Sequence, residues 1–342
     1  MGLRAIHRIG VRRVLVACVL IAMALQVFWV ITASRPDLIN PTAIGSDSSN
    51  YFAAGQRLND GHTIYGPLQP GDRFVPLIPP FSSVPLLSPP LIAVVFRPLA
   101  AIGDAGMWLW WAGIAVLLGT LTVIMALTGS ARRLIAMFLI SPAIGIAFWS
   151  GNMNAVIVTL LVGVWVASAR GRPGIAGALL AVAACLKLTP GYLLFWFVVR
   201  RDWAAVRGFV VAEAALGVVS VIGAGLGNHI DYLNVMRDTA TTGVTPFSLA
   251  GFLQNFGVPS GVADLASFAW VILGVATMWL LRRRPDASFT AGILTVIYSS
   301  PVVMLGNLAA LLAAVAPYSA ARSTQPAPVV VRSGLPLPGA AS

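Results

Sequence analysis

Apolar runs of about 20 residues recur along this chain, parted by short polar stretches, and that length is what an α-helix needs to cross a bilayer. The runs are continuous rather than alternating, which predicts helices and excludes a membrane β-barrel. After a first run at 14–33, spans are expected at roughly 107–128, 134–149, 154–169, 174–199, 205–226, 265–281 and 287–317. Two of these are broken. Arg170 and Arg172 precede 174–199, and Arg200 and Arg201 follow it, so both of its ends belong on one side of the membrane. Within it, Pro190 of LKLTPG cannot continue a helix. Each half holds ~12 residues and reaches ~18 Å, short of a crossing. A tilted or re-entrant hairpin with Lys187 at its outer tip is expected. The run 287–317 is long enough for two crossings and breaks near Ser299, Ser300 and Pro301. Residues 84–103 hold Arg97 and Pro98 inside an apolar segment. They are either re-entrant or matched by another short crossing. The fold class predicted is all-α and polytopic, with about nine to twelve transmembrane helices.

Composition agrees. Hydrophobic residues make up 58% of the 342 and charged residues only 10%, against about a quarter charged in soluble domains. Length alone would suggest two soluble domains; the apolar runs point instead to one transmembrane domain over residues 1–318. The net charge of +11 does not signal nucleic-acid binding. The arginines fall in short clusters between apolar runs, without the interleaved aromatics that bind strands. These clusters are Arg4 to Arg13, Arg132 and Arg133, Arg170 and Arg172, Arg200 to Arg207, and Arg282 to Arg284. Such clusters mark cytoplasmic loops, so the N-terminus is expected in the cytoplasm of a multi-pass plasma-membrane protein. The run 14–33 is long for a signal peptide and reads as an uncleaved anchor. Polar loops at about 34–85 and 227–264 then face outward. Residues 319–342, rich in Pro, Ser and Ala, are expected to be a disordered tail.

Candidate chemistry is sparse. Cys18 and Cys185 lie in apolar segments and read as inert thiols. The histidines His7, His62 and His229 are scattered, and neither CxxC nor HExxH occurs, so no metal site and no cofactor are predicted. With 11 acidic residues in the chain, each carboxylate is informative. Asp47 stands at the head of GSDSSNYFAAGQRLNDGHTIYG, Gly45 to Gly66, in the first outer loop. Ser48 to Leu58 reads as an amphipathic helix, with Asp47 as its N-cap. Tyr51 lies one turn further on the same face. Trp108, Trp110 and Trp111 read as an interfacial belt.

Four stretches resemble glycosyltransferase family 87, membrane enzymes of the GT-C superfamily that use polyprenyl-phosphate sugars. The best-represented members are actinobacterial α-mannosyltransferases. The stretches are the Gly45–Gly66 segment, SPPLIAVVFRPLA (Ser88 to Ala100), Gly151 to Trp203 with its GNMN and CLKLTPG motifs, and TPFSLAGFL (Thr245 to Leu253). Together they cover most of Gly45 to Leu253. Two features depart from the family pattern. Ser88 replaces an aromatic before the paired prolines, and SSPVVMLGN (Ser299 to Asn307) lacks the usual Trp and His.

The resemblance implies a GT-C-like fold whose extracytoplasmic first loop carries the amphipathic helix. It implies an inverting, metal-independent hexosyl transfer at the outer face. The donor would be a polyprenyl-phosphate sugar, with mannose expected and arabinofuranose the other candidate, and the acceptor an envelope glycolipid or glycan. A phosphodiester leaving group needs no strong acid, whereas the attacking hydroxyl needs a base; Asp47 is the candidate. Helix N-terminal N–H groups would favour its ionised form. Lys187 would pair with the donor phosphate, or else snorkel to headgroups. Tyr51, His62, Tyr65, Arg97, Asn152 and Asn154 are the remaining candidates for donor or acceptor binding. Their plainer readings are an interfacial aromatic, solvated loop residues and a helix cap. A transporter or lipid flippase, or an inactive scaffold of this fold, are the alternative readings.

Overall fold

The computed structural model describes residues 11–25, 46–66, 86–242, 248–300 and 303–319. The anchor beyond residue 25, most of the first polar loop and the tail after 319 lie outside the described residues.

Among the described residues the regular structure is all helix, apart from one isolated antiparallel bridge between Gly129 and Ser319. Helix α1 covers 11–25, and α2 is the expected amphipathic helix, Ser46–Asn59. Helix α3, Leu91–Ala101, answers the ambiguity of 84–103. Eleven residues reach only ~16 Å, about half a bilayer core. It lies against α2, where a Cβ on Gly55 would stand 2.8 Å from the Phe96 backbone. Helices α4 (Asp104–Thr128), α5 (Ala131–Trp149) and α6 (Asn154–Ala169) then run in succession.

Helix α7, Pro173–Leu186, stops at Lys187, whose backbone is extended (φ −158°, ψ 126°). A 3-10 turn at Thr189–Leu193 and the short α8, Leu194–Val199, lead back. The two broken halves predicted around Pro190 are thus present. Helix α9 spans Trp203–Thr242 and bends at Gly225, where φ is +79°. It runs beside α7, with Gly177 against Ala205 and Cys185 facing Glu213. Backbones touch at this crossing. A Cβ on Gly177 would lie 1.9 Å from the Ala205 carbonyl, and one on Gly208 would lie 2.3 Å from that of Gly174. Small residues permit such close approach between membrane helices.

Helix α10 is Leu249–Asn255, α11 is Ser260–Leu280 and α12 is Pro285–Tyr298. The break expected near Ser299 and Ser300 follows. A 3-10 turn at Leu305–Ala310 and α13, Leu311–Ala314, complete the described chain. Among the described residues, four helices are long and apolar enough to cross a membrane: α4, α5, 203–237 of α9, and α11. Shorter apolar helices accompany them. The protein is an all-helical polytopic membrane protein.

The second polar loop needs correction. Residues 227–264 are mostly helix, because α9 continues beyond Gly225 and α10 and α11 follow closely. Polar residues hid the helical spacing of Tyr232 and Met236, four apart and so on one face.

Arginines in the described clusters sit at helix ends. Arg12 donates to the carbonyls of Leu127 and Gly129. Arg133 is buried and donates to the carbonyls of Val315 (3.1 Å) and Ala316, tying the chain's last described turn to α5. The clusters at 170–172, 200–201 and 282–284 lie in the connections from α6 to α7, α8 to α9 and α11 to α12. The tryptophans are less uniform than a belt. Trp108 is 74% exposed, whereas Trp110 donates to the Gly151 carbonyl (3.0 Å) and Trp111 packs edge-on against Phe148.

Candidate functional site

At the α2 end, the helix termini enclose a cavity of about 500 Å³, within the range of small-molecule sites. Its polar wall includes Asp47, Asn50 and Tyr51 of α2, Asn152 of the α5–α6 turn, Lys187 of the α7 break, and Asn307. Its apolar wall includes Leu86, Leu87, Leu186, Phe195, Met236 and Met304.

Backbone geometry places Asp47. Gly151 adopts φ +65°, and a Cβ there would meet the Ser48 side chain at 2.5 Å. Glycine therefore lets the α5–α6 turn reach the head of α2. The N–H groups of Asp47 and Ser48 both donate to the Ser150 carbonyl, at 3.1 and 3.2 Å. That carbonyl does the capping expected of the Asp47 side chain. The carboxylate is left to accept a 2.7 Å hydrogen bond from Asn152 Nδ2.

A relay of amides links this carboxylate to the cation. Asn152 Oδ1 accepts from the Asn154 N–H at 2.7 Å, and Asn154 Nδ2 donates to Asn307 Oδ1 at 2.7 Å. Lys187 Nζ reaches Asn154 Oδ1 in a long contact of 3.5 Å. Burial raises the Asp47 carboxyl above the ordinary aspartate value, against the hydrogen bonds from Asn152 and Ser150 and the charge on Lys187. The helix-terminus stabilisation expected from the sequence loses to burial, because the first N–H groups point at Ser150. Burial likewise pulls Lys187, which sits in the break outside either helix, down to about 8, with the Asp47 charge opposing. Both groups stand closer to neutrality than they would in water. Such opposed shifts in a cleft mark functional sites.

The other expected residues divide. Tyr51 is 6% exposed, packs against Phe96 at 5.2 Å, and its hydroxyl accepts from the Met153 N–H at 3.3 Å. It is a cavity wall, not an interfacial aromatic. Burial, and then the Asp47 charge, hold its phenol well above the usual range. Tyr65 supports the cavity from behind, donating to the Ser88 carbonyl and lying 5.6 Å from the Tyr232 ring. Arg97 is not at the cavity. It donates to Asn59 Oδ1 and to the Gly223 carbonyl, each at 3.1 Å, and so ties α3 to α2 and α9. His62 is exposed, beyond the C-terminal end of α2. Asn50, Tyr232 and Asn307 were not singled out as site residues from the sequence. Helical spacing sets Asn50 beside Asp47, whereas tertiary packing brings Tyr232 and Asn307 there.

The fold and cavity define a helical membrane protein with a half-buried carboxylate–ammonium site at one end of its bundle. Residues 87–301 match glycosyltransferase family 87, and the chain belongs to that family. Over 241 residues it is 27% identical to a polyprenol-phosphate-mannose-dependent alpha-(1-2)-phosphatidylinositol mannoside mannosyltransferase of Mycobacterium tuberculosis, covering 59% of this chain and 53% of that protein. A protein of the same description from Mycolicibacterium smegmatis is 28% identical over 232 residues, covering 58% of this chain and 51% of its own. The chain spans about half the length of these curated relatives. No solved structure matches it. Asp47 precedes the family match, so its assignment rests on geometry.

Proposed function

We propose that the chain is a membrane glycosyltransferase that moves mannose from a polyprenyl-phosphate donor to a lipid-linked acceptor at the outer face. The observation that carries this reading is the pairing of Asp47 and Lys187 on one cavity wall, joined through Asn152 and Asn154. Family membership and the descriptions of the two relatives support it.

In this reading the acceptor hydroxyl oxygen attacks the anomeric carbon of the donor sugar. The bond from that carbon to the phosphate oxygen breaks, and polyprenyl phosphate leaves with the electron pair. Asp47 takes the hydroxyl proton, and its raised pKa makes it the stronger base. Lys187 holds the phosphate and offsets the charge that grows on the leaving oxygen. Attack opposite the leaving group inverts the anomeric carbon. The apolar wall of Leu86, Leu186 and Phe195 takes the first prenyl units. No step calls for a metal.

The test is transfer by purified protein from a panel of polyprenyl-phosphate sugars, followed by linkage analysis. Mannose transfer is expected. Donor flipping in liposomes with no transfer from any donor would overturn the reading in favour of a flippase.

A further inference from the structure

Among the cavity's polar residues, Asn50 is the anomaly. It is 3% exposed, and its Oδ1 has no hydrogen-bond partner. Asp47, Asn152, Asn154 and Asn307 are all tied into the amide relay. Asn50 lies three residues after Asp47 and one before Tyr51, so all three share a helix face, and all three line the cavity. A buried acceptor left unpaired costs free energy that an apolar side chain of the same shape would not. Leucine branches at the same atom as asparagine and would fit this apolar helix packing without that cost. An unsatisfied buried group in a native fold calls for an explanation, and a ligand supplies one.

We propose that the Asn50 carboxamide hydrogen-bonds a sugar hydroxyl in the cavity and thereby selects the sugar that reacts beside Asp47. The proposal rests on the transferase reading above. An amide presents an acceptor on one edge and two donor hydrogens on the other, so half a turn of the side chain serves a hydroxyl in either sense. The hydroxyl belongs to the donor sugar or to the acceptor sugar, which both converge on the Asp47 carboxylate. Its chemistry is the same in both cases. Asn50 is a specificity-determining residue in this account, and Asp47 remains the base.

The experiment is a cycle between protein and substrate. Parent and Asn50→Leu proteins are assayed with the intact sugars and with single-deoxy analogues, in one arm of the donor sugar and in the other of the acceptor sugar. Asn50→Leu is expected to lower kcat/KM for the intact sugars about tenfold, the scale of one hydrogen bond. One deoxy position should cost the parent a similar factor and cost the variant nothing further. The arm holding that position identifies the sugar concerned. The variant should also unfold at the same or a higher temperature than the parent in the absence of substrate, since it no longer buries an unpaired amide. Lower stability with equal losses on every analogue would reduce Asn50 to a packing residue and overturn the proposal. An unchanged kcat/KM would overturn it too. Should Asn50→Leu not fold, Asn50→Ser replaces it in the same cycle. A parent protein that transfers no sugar would instead sink the transferase reading.

Discussion

Replacing Lys187 by arginine should remove the alkaline limb of the transfer reaction. In the free protein the ammonium titrates near 8 instead of the usual 10.5, because it is buried in the cavity wall. That drop corresponds to roughly 3 kcal/mol against the charged form. A donor phosphate beside Lys187 can recover much of this, since it supplies the counter-charge that burial removed. At pH 7 about ten lysines in eleven carry the proton, and at pH 9 about one in eleven. Only the protonated form attracts the phosphodiester, so kcat/KM should fall as pH rises through about 8. The profile of kcat/KM reports the free enzyme and that of kcat the complex. The bound anion raises the lysine pKa, so the kcat limb should lie at higher pH than the kcat/KM limb. Guanidinium stays charged across this range. Lys187→Arg should therefore hold its kcat/KM flat from pH 7 to pH 10, at a lower level than the parent's maximum because the fork is bulkier. Lys187→Ala should raise the donor KM most below pH 8, with the difference from the parent shrinking as the parent lysine loses its proton. The assay is initial transfer rate against donor concentration in detergent micelles, at half-unit steps of pH. An alkaline limb near 8 that persists in Lys187→Arg would refute the reasoning, since some other group would then be titrating.

Three further outcomes follow from the geometry. Asn152→Ala removes the hydrogen bond that offsets burial at Asp47; the acid limb, where transfer is lost as pH falls through the raised Asp47 pKa, should move to higher pH, and a limb that stays in place would separate Asn152 from the base. Gly177→Leu forces side-chain atoms onto the Ala205 carbonyl and should cost at least ~3 kcal/mol of stability, whereas Gly113→Ala, with open space around it, should be neutral or gain up to ~1 kcal/mol, both read by thermal unfolding in detergent. In a background without Cys18 and Cys185, a cysteine at the exposed position of His62 should react with an impermeant thiol reagent in intact cells, and one at exposed Arg283 should not; the reverse pattern would invert the proposed orientation.

The broken span was legible because Pro190 and the flanking arginines carry local rules about helices and membrane sides. The α2 helix was legible for the same kind of reason, with a polar N-terminal turn followed by apolar spacing. Asp47 stood out because carboxylates are scarce in this chain. What the sequence could not reveal is which residues converge. Asn307 meets Asn154 across 153 positions, and nothing around either residue announces the other. Arg97, a cation in an apolar segment, and His62, a polar loop residue, were both candidates for substrate binding, yet one ties helices together and the other faces solvent. The direction of the Asp47 shift runs against the sequence expectation, since a helix-terminus rule weighs local N–H groups and cannot see the burial that comes with docking on the α5–α6 turn. Residues 227–242 read as a loop because Asn228, His229 and Asp231 mask a helix that begins again directly after Gly225.

The central claim is that Asp47 takes the acceptor proton, and Asp47→Asn tests it most directly. Asparagine keeps the shape of the side chain and can still present an oxygen to Asn152, but it cannot accept the proton. The backbone cap through Ser150 is independent of the side chain, so folding should be unharmed. Transfer by the purified variant should fall by about 10²–10⁴, the usual contribution of a general base, at an unfolding temperature equal to or above that of the parent. A folded variant that transfers sugar at near the parent rate would contradict the account and remove Asp47 from the chemistry.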